Sequence, residues 1–256
     1  MTDFGHADPF VGIMKGAILS ITSNIQIVDL NHGIPPQDIR AAALTLAASF
    51  NYFPQGSIHV AVVDPGVGSK RLPIVIHAAG HYFVGPDNGI FGLALKDQES
   101  SFIVHLSNEA YHLQPTSQTF HGRDVFAPVA AHLARGVPMT EFGSPLEDCV
   151  RLAWPAVERA GKFILGEVIY IDRFGNLFTN IRERDLEGEQ RDRIRIYLKQ
   201  IKIQGLSQSY VAGNKGKYIA LINSWGLVEV ASYNDSAASR SSSRIGNKVR
   251  LELLAV

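Results

Sequence analysis

A change of pattern near Trp154-Pro155 constrains this fold more than any single motif. Before it, strand-like and helix-like runs alternate; after it, short strand-like runs follow one another. Asp8-Pro9 reads as a helix start, with Pro in the first turn, and residues 10–23 carry apolar side chains at helical spacing. Residues 25–30 read as a strand, and Pro35-Pro36-Gln37-Asp38 opens a second helix through an Ala-rich stretch to Phe53. Residues 59–63, 72–77 and 102–106 read as further strands, and 124–135 as a third helix. That alternation predicts an α/β layer over residues 1–155. Beyond a linker at 156–161, the runs 163–171, 177–181, 194–198, 218–222, 227–231 and 249–254 are punctuated by Gly and Asn, which predicts a small barrel or sandwich over 162–256.

The bulk numbers exclude several classes. Lys+Arg and Asp+Glu are 24 each, so no basic surplus marks a nucleic-acid binder. Cys149 is the only cysteine, which rules out an internal disulfide and a multi-thiolate zinc site. Nothing at the start reads as a signal peptide and no apolar run approaches membrane-spanning length, so the cytoplasm is the expected location.

Three polar turns end apolar runs, and loops at strand ends are where a rigid sheet displays its chemistry. Asp64-Pro65-Gly66-Val67-Gly68-Ser69-Lys70-Arg71 follows residues 59–63, Gly85-Pro86-Asp87-Asn88-Gly89 follows 81–84, and Phe120-His121-Gly122-Arg123-Asp124 opens an amphipathic stretch. Asp64, Arg71 and His121 supply a carboxylate, a guanidinium and an imidazole, the raw material of an acid–base site. Each has a plainer reading by itself: Asp64-Pro65-Gly66 as a turn, Arg71 as a solvated charge, His121 as the shaper of a helix entry and Asp124 as a partner of that helix dipole. The run 66–70 lacks the order of a phosphate loop, and the β-rich flanks of His77 and His81 speak against a helical metal pair.

Taken together, the motifs resemble those of the S-adenosyl-L-methionine hydroxide adenosyltransferases, relatives of the 5′-fluorinase and 5′-chlorinase. The matching stretches are Thr2-Asp3-Phe4-Gly5 with Asp8-Pro9-Phe10-Val11-Gly12 and Lys15-Gly16, Val62 to Gly68 with Arg71, Gly85 to Gly89, Phe120 to Pro128, Asp172 to Ile181, and Asn223-Ser224. The resemblance implies an N-terminal α/β domain with a mixed sheet and a small C-terminal β-barrel domain. It implies a homotrimer with each site between the N-terminal domain of one subunit and the C-terminal domain of the next. It implies hydrolysis of S-adenosylmethionine to adenosine and methionine, with no metal and no cofactor, since S-adenosylmethionine is the substrate. The implied catalytic set is Asp64, Arg71 and His121. Asp3 is implied at the ribose diol, Asp8, Asp172 and Ser224 at the methionine ammonium and carboxylate, and Phe174 and Asn176 at the adenine. Asn88 is a further substrate-binding candidate, with a turn role as its plainer reading. Members of the family carry a β-rich stretch before the first motif, so a short first strand ending at Met1 is expected, with a missing segment as the alternative.

The chemistry suits these residues. A sulfonium makes methionine a neutral leaving group, so the reaction needs a nucleophile rather than a general acid. A base that takes the proton of the attacking water contributes roughly 10²–10⁴-fold. Arg71 beside Asp64 makes that carboxylate a better orienter than base, and His121, which titrates near neutrality, is the better final acceptor on that ground; the sequence leaves open which of the two takes the proton. The sulfonium should avoid Arg71, which places the guanidinium on the nucleophile side. A 5′-halogenase is the first competing function, but a halide needs no deprotonation and its pocket should avoid a carboxylate such as Asp64. The second is a non-catalytic nucleoside-binding module, which gains nothing from the three groups together.

Overall fold

The computed structural model describes residues 1–96, 101–212 and 216–254. Contacts divide the chain into two compact units, Met1–Leu152 and Ala153–Val256.

The first unit contains α1 (Phe10–Ile21), α2 (Ile39–Ala47), β1 (Ile58–Val60), β2 (Pro73–Ala78), β3 (His81–Pro86), β4 (Ser101–His105), α3 (Ala127–Ala134) and β5 (Pro145–Leu146). Its sheet has the order β1-β3-β2-β4-β5. β1 runs parallel to β3 and the other pairings are antiparallel, so the sheet is mixed. A two-residue turn joins β2 to β3, with both Ala79 and Gly80 at positive φ, the geometry that matches the twist of a hairpin. Ile74, Val75, Ile76, Phe83 and Val84 are fully buried, as expected for strands covered on both faces. Val75 and Val84 pack with Met14 of α1 and Val129 and Leu133 of α3, while the Phe50 ring meets Phe83 at 5.4 Å between centroids on the opposite side. Asp38 caps α2 by accepting the Ala41 N–H at 2.9 Å. The expected third helix begins instead with a π-helical turn over Gly122–Phe126, directly after His121.

Residues 25–30 are not a strand. A strand needs a hydrogen-bonding neighbour at about 4.8 Å, and this run instead faces a cavity of about 420 Å³ lined by Ile25, Ile27, Leu30, Ile58, Val60 and Met14, among others. Met1 and Thr2 also line it. There the Met1 amine donates to the Val60 carbonyl at 2.8 Å, Thr2 N–H donates to Asn31 at 3.0 Å, and Thr2 forms a parallel bridge with Val62. Burial pushes that amine down to about 5.

The second unit contains β6 (Glu158–Ala160), β7 (Phe163–Ile171), β8 (Leu177–Arg182), β9 (Ile194–Leu198), β10 (Ile201–Gln204), β11 (Tyr218–Ile222), β12 (Leu227–Ser232), α4 (Ala237–Ser241) and β13 (Lys248–Leu253). The antiparallel order is β10-β9-β13-β7-β8-β12-β11, with β6 on β7. β7 pairs with β13 along its first half and with β8 along its second, with a register irregularity between Val168 and Tyr170. Ser207, just after β10, bridges Leu221 of β11, which nearly closes the sheet into a barrel. Alternate residues fill its interior, among them Ile194, Ile196 and Leu198, Val228 and Val230, and Val249 and Leu251. One expectation changes here: the stretch read as a linker carries β6. Ala237–Ser241 forms α4, whose cap Ser236 accepts the Ser239 N–H at 3.1 Å.

Candidate functional site

The first unit brings Asp64, Arg71 and His121 into one hydrogen-bonded line. Asp64 stands just beyond Val62 and Val63, both fully buried, so its backbone is anchored in the sheet core. The turn after it folds back: Val67 N–H donates to the Asp64 carbonyl, and Ser69 N–H to that of Gly66. Gly68 sits at φ +74°, and a Cβ there would lie 2.5 Å from the Gln118 carbonyl, so only glycine lets this turn rest against the loop that leads to His121. Arg71 Nε donates to both Asp64 oxygens at 2.9 Å, and its Nη2 donates to Oδ2 as well. The same Nη2 donates to His121 Nδ1 at 2.8 Å. The Arg71 guanidinium also lies 5.4 Å from the centre of the buried Phe126 ring, which closes its inner side.

Burial decides the character of this pair. The side chains of Arg71 and Asp64 are only 9% and 5% exposed, so the ion pair is not a solvated surface contact. Burial, followed by the charge of Arg71, pulls the His121 imidazole below its usual range, while Asp64 and Asp124 pull it back upward. A guanidinium can only donate, so His121 Nδ1 is the acceptor and a neutral ring carries its proton on Nε2. Asp64 Oδ1 takes one of the three bonds from Arg71 and keeps an open lone pair.

The aromatic support of this line is a feature that the sequence reading missed. Phe4, Phe10 and Phe120 form a T-shaped trio with centroids 5.3–5.9 Å apart, tying the Thr2-Asp3-Phe4-Gly5 turn to the residue before His121. Asp124 is fully buried, accepts Ser117 N–H at 2.9 Å and pairs with Arg123, so it holds the loop before the π-helical turn. Asp3 Oδ2 accepts the Gln37 N–H at 2.8 Å, and Asp8 stands exposed just before α1. Asn88 spends its side chain on the backbone, donating to Val63 at 2.8 Å and accepting from Ile90 at 3.2 Å. It thereby braces the residue that precedes Asp64.

The second unit carries its own polar turn. Asp172 Oδ1 accepts the N–H groups of Phe174 and Asn176 at 2.9 and 2.8 Å, and Oδ2 accepts Asn176 Nδ2 at 2.9 Å. Asn176 is buried, whereas the Phe174 ring is 76% exposed at the tip of the turn. Gly175 at φ +81° leaves no room for a Cβ, which would lie 2.0 Å from Ser236 Oγ, so α4 packs directly on this turn. Ser224 is exposed in the turn after β11, where Asn223 Oδ1 accepts the N–H groups of Trp225 and Leu227 at 2.9 and 3.1 Å. Among the described residues, no cluster of three or more His, Cys, Asp or Glu side chains is arranged to hold a metal ion.

Comparison with known proteins identifies the family. Residues 1–143 match the N-terminal domain, and residues 166–250 the C-terminal domain, of the SAM hydroxide adenosyltransferase family. The (R)-S-adenosyl-L-methionine hydrolase of Thermus thermophilus is 35% identical over 261 residues, covering 98% of this chain and 97% of its own. A fluorinase of Actinoplanes sp. is more distant, 29% identical over 73% of this chain and 72% of its own. The crystal structure of an uncharacterized conserved protein from Thermotoga maritima superposes with a TM-score of 0.91 at 30% identity, covering 98% of this chain and 97% of that one. Two consecutive domain matches spanning most of the sequence, on the expected α/β-plus-barrel architecture, place this chain in the SAM hydroxide adenosyltransferase family.

Proposed function

We propose that this protein hydrolyses S-adenosyl-L-methionine, with water attacking the ribose 5′ carbon to give adenosine and L-methionine. The observation that carries this reading is the buried Asp64–Arg71–His121 line with one open carboxylate lone pair. A water that donates to Asp64 Oδ1 is oriented by a carboxylate whose other positions Arg71 holds. As the water oxygen bonds to the 5′ carbon and the sulfur–carbon bond breaks, its proton passes to Asp64 and methionine leaves as a neutral thioether. His121 is the weaker acceptor, because Nδ1 already receives Arg71 and burial opposes the imidazolium. The sequence leaves the choice between Asp64 and His121 open. Holding the reactants in line can supply roughly 7–11 kcal/mol, more than the base alone.

The remaining candidates divide between the two units. Asp3 takes the ribose diol through the oxygen that Gln37 leaves open, and Asp8, Asp172 and Ser224 take the methionine end. Phe174 offers an exposed ring to the adenine, a stacking contact of about 1–3 kcal/mol. Asn176 acts beside it. The proposed assembly is a homotrimer in the cytoplasm, with each site completed by a neighbouring subunit.

Product analysis in H₂¹⁸O, with and without chloride, tests the reading. The expected product is adenosine labelled on the 5′ hydroxyl, with methionine, in both buffers. A 5′-chloro product, unlabelled adenosine or unreacted S-adenosylmethionine overturns it.

A further inference from the structure

Glu229 is the least expected side chain of the second unit. It lies in the middle of β12, fully buried, between Val228 and Val230, which point into the barrel. Its side chain therefore occupies the opposite face of the sheet, where its cross-strand neighbours are Phe178 of β8 and Leu221 of β11. A carboxyl here requires partners. Tyr210 donates its hydroxyl to Oε1 at 2.9 Å, while Oε2 has no hydrogen-bond partner in the protein.

The complement of Oε2 is one register step away. Asn223 follows Leu221 by two residues and so shares its face, and its Nδ2 is also buried without a hydrogen-bond partner. It lies beside Glu229, outside hydrogen-bond geometry but close enough to favour the carboxylate. Asn223 organises its whole turn: Oδ1 accepts Trp225 and Leu227 N–H, its backbone N–H donates to Leu227 at 2.9 Å, and its carbonyl accepts Gly226 N–H at 3.0 Å. Ser224 is presented from that turn. The titratable groups that face Glu229 are Tyr210 and Asp172, and Phe178 and Leu221 are apolar. Burial, aided by the charge of Asp172, raises the Glu229 carboxyl above its ordinary range.

We propose that Glu229, held by Tyr210, is a positioning residue: it braces Asn223 and, through the Asn223–Gly226 turn, fixes Ser224 beside Asp172 for the methionine end of the substrate. The effect on substrate rests on the functional reading above; the bracing of the turn does not. Of the groups assigned to that end, Asp172 lies close enough to act on the Glu229 carboxyl and Ser224 directly follows Asn223, which gives a reason for an acidic side chain between Val228 and Val230.

Two measurements on the full chain separate these layers. Amide hydrogen exchange at Trp225 and Leu227 should accelerate at least tenfold in Glu229→Ala. It should return to within about threefold of the wild type in Glu229→Gln, whose carbonyl can face Asn223 while its amide donates to the Tyr210 oxygen. In steady-state hydrolysis of S-adenosylmethionine, Glu229→Ala should raise KM roughly tenfold or more, the scale of one buried polar contact, with kcat within about threefold; Glu229→Gln should restore KM. Unchanged exchange in Glu229→Ala, or Glu229→Gln as perturbed as Glu229→Ala, overturns the bracing role. Faster exchange with an unchanged KM overturns the link to Ser224. A wild-type protein that leaves S-adenosylmethionine intact overturns the functional reading instead, while the exchange data still decide whether Glu229 holds the turn.

Discussion

Replacing Arg71 by Met tests the buried line at its centre. The substitution keeps much of the aliphatic volume over Phe126 but removes the charge, three hydrogen bonds to Asp64 and one to His121. Asp64, with its side chain 5% exposed, is then left without its counter-charge. Removing one partner of a buried ion pair costs about 3–5 kcal/mol, against about 0–1 kcal/mol for an exposed pair. For a unit of this size, at about 3 °C per kcal/mol, the unfolding midpoint of the first unit should fall by roughly 9–15 °C. Adding Asp64→Leu removes the orphaned carboxylate, so the double variant should recover to within about 1 kcal/mol of the wild type. The assay is urea unfolding of the wild type, both single variants and the double variant, closed as a thermodynamic cycle.

The same variant makes a second, independent forecast. Arg71 pushes the His121 imidazole down and Asp64 pushes it up, so removing Arg71 alone must move the His121 titration to higher pH. Ring-proton NMR across pH 4–9 reads this directly. A loss of less than about 1 kcal/mol, with His121 titrating where it did before, would mean that the pair is a solvated surface contact. The reasoning about the catalytic line would then fail.

Two further predictions concern assembly and acid stability. If each site is completed by a neighbouring subunit, inactive Asp64→Ala and inactive Asn176→Ala proteins should recover part of their activity when mixed; a fully active monomer by light scattering would contradict this. His59, packed against Phe53, Phe83 and His81, is lowered by burial from 6.5 to about 4. Its ring is neutral in the fold, whereas the unfolded chain takes up a proton below pH 6.5. Stability should therefore decline as pH falls from 6.5 to about 4, by up to roughly 3 kcal/mol from this group. Denaturation at pH 7, 5.5 and 4.5 should show a shallower decline in His59→Phe, and equal slopes would discount the group.

Much of the fold was legible because it is local. Residues 163–171, 194–198 and 218–222 read as strands and are strands with those bounds, since alternating apolar residues mark a one-sided burial that the barrel supplies. α1 and α2 were visible in their apolar spacing, and the polar turns at 64–71 and 120–124 announced themselves through Gly, Pro and Asp at strand ends. Residues 25–30 have the composition of a strand, yet strand formation depends on a neighbour that no local pattern specifies, and there the run meets a cavity. The short β6 and β10 escaped notice for the complementary reason: their partners β7 and β9 make them strands, not their own composition.

The candidate site divides the same way. Sequence alone determined which chemical groups stand on turns, because the turn residues and the motifs around them are contiguous. Only the tertiary structure decided what those groups are. Fifty residues separate Arg71 from His121, and it is the fold that joins them, buries the Asp64–Arg71 pair, occupies His121 Nδ1 and leaves one carboxylate lone pair open. Charge state and hydrogen-bond role depend on burial and on distant partners, and neither is a property of a residue in its own stretch of chain.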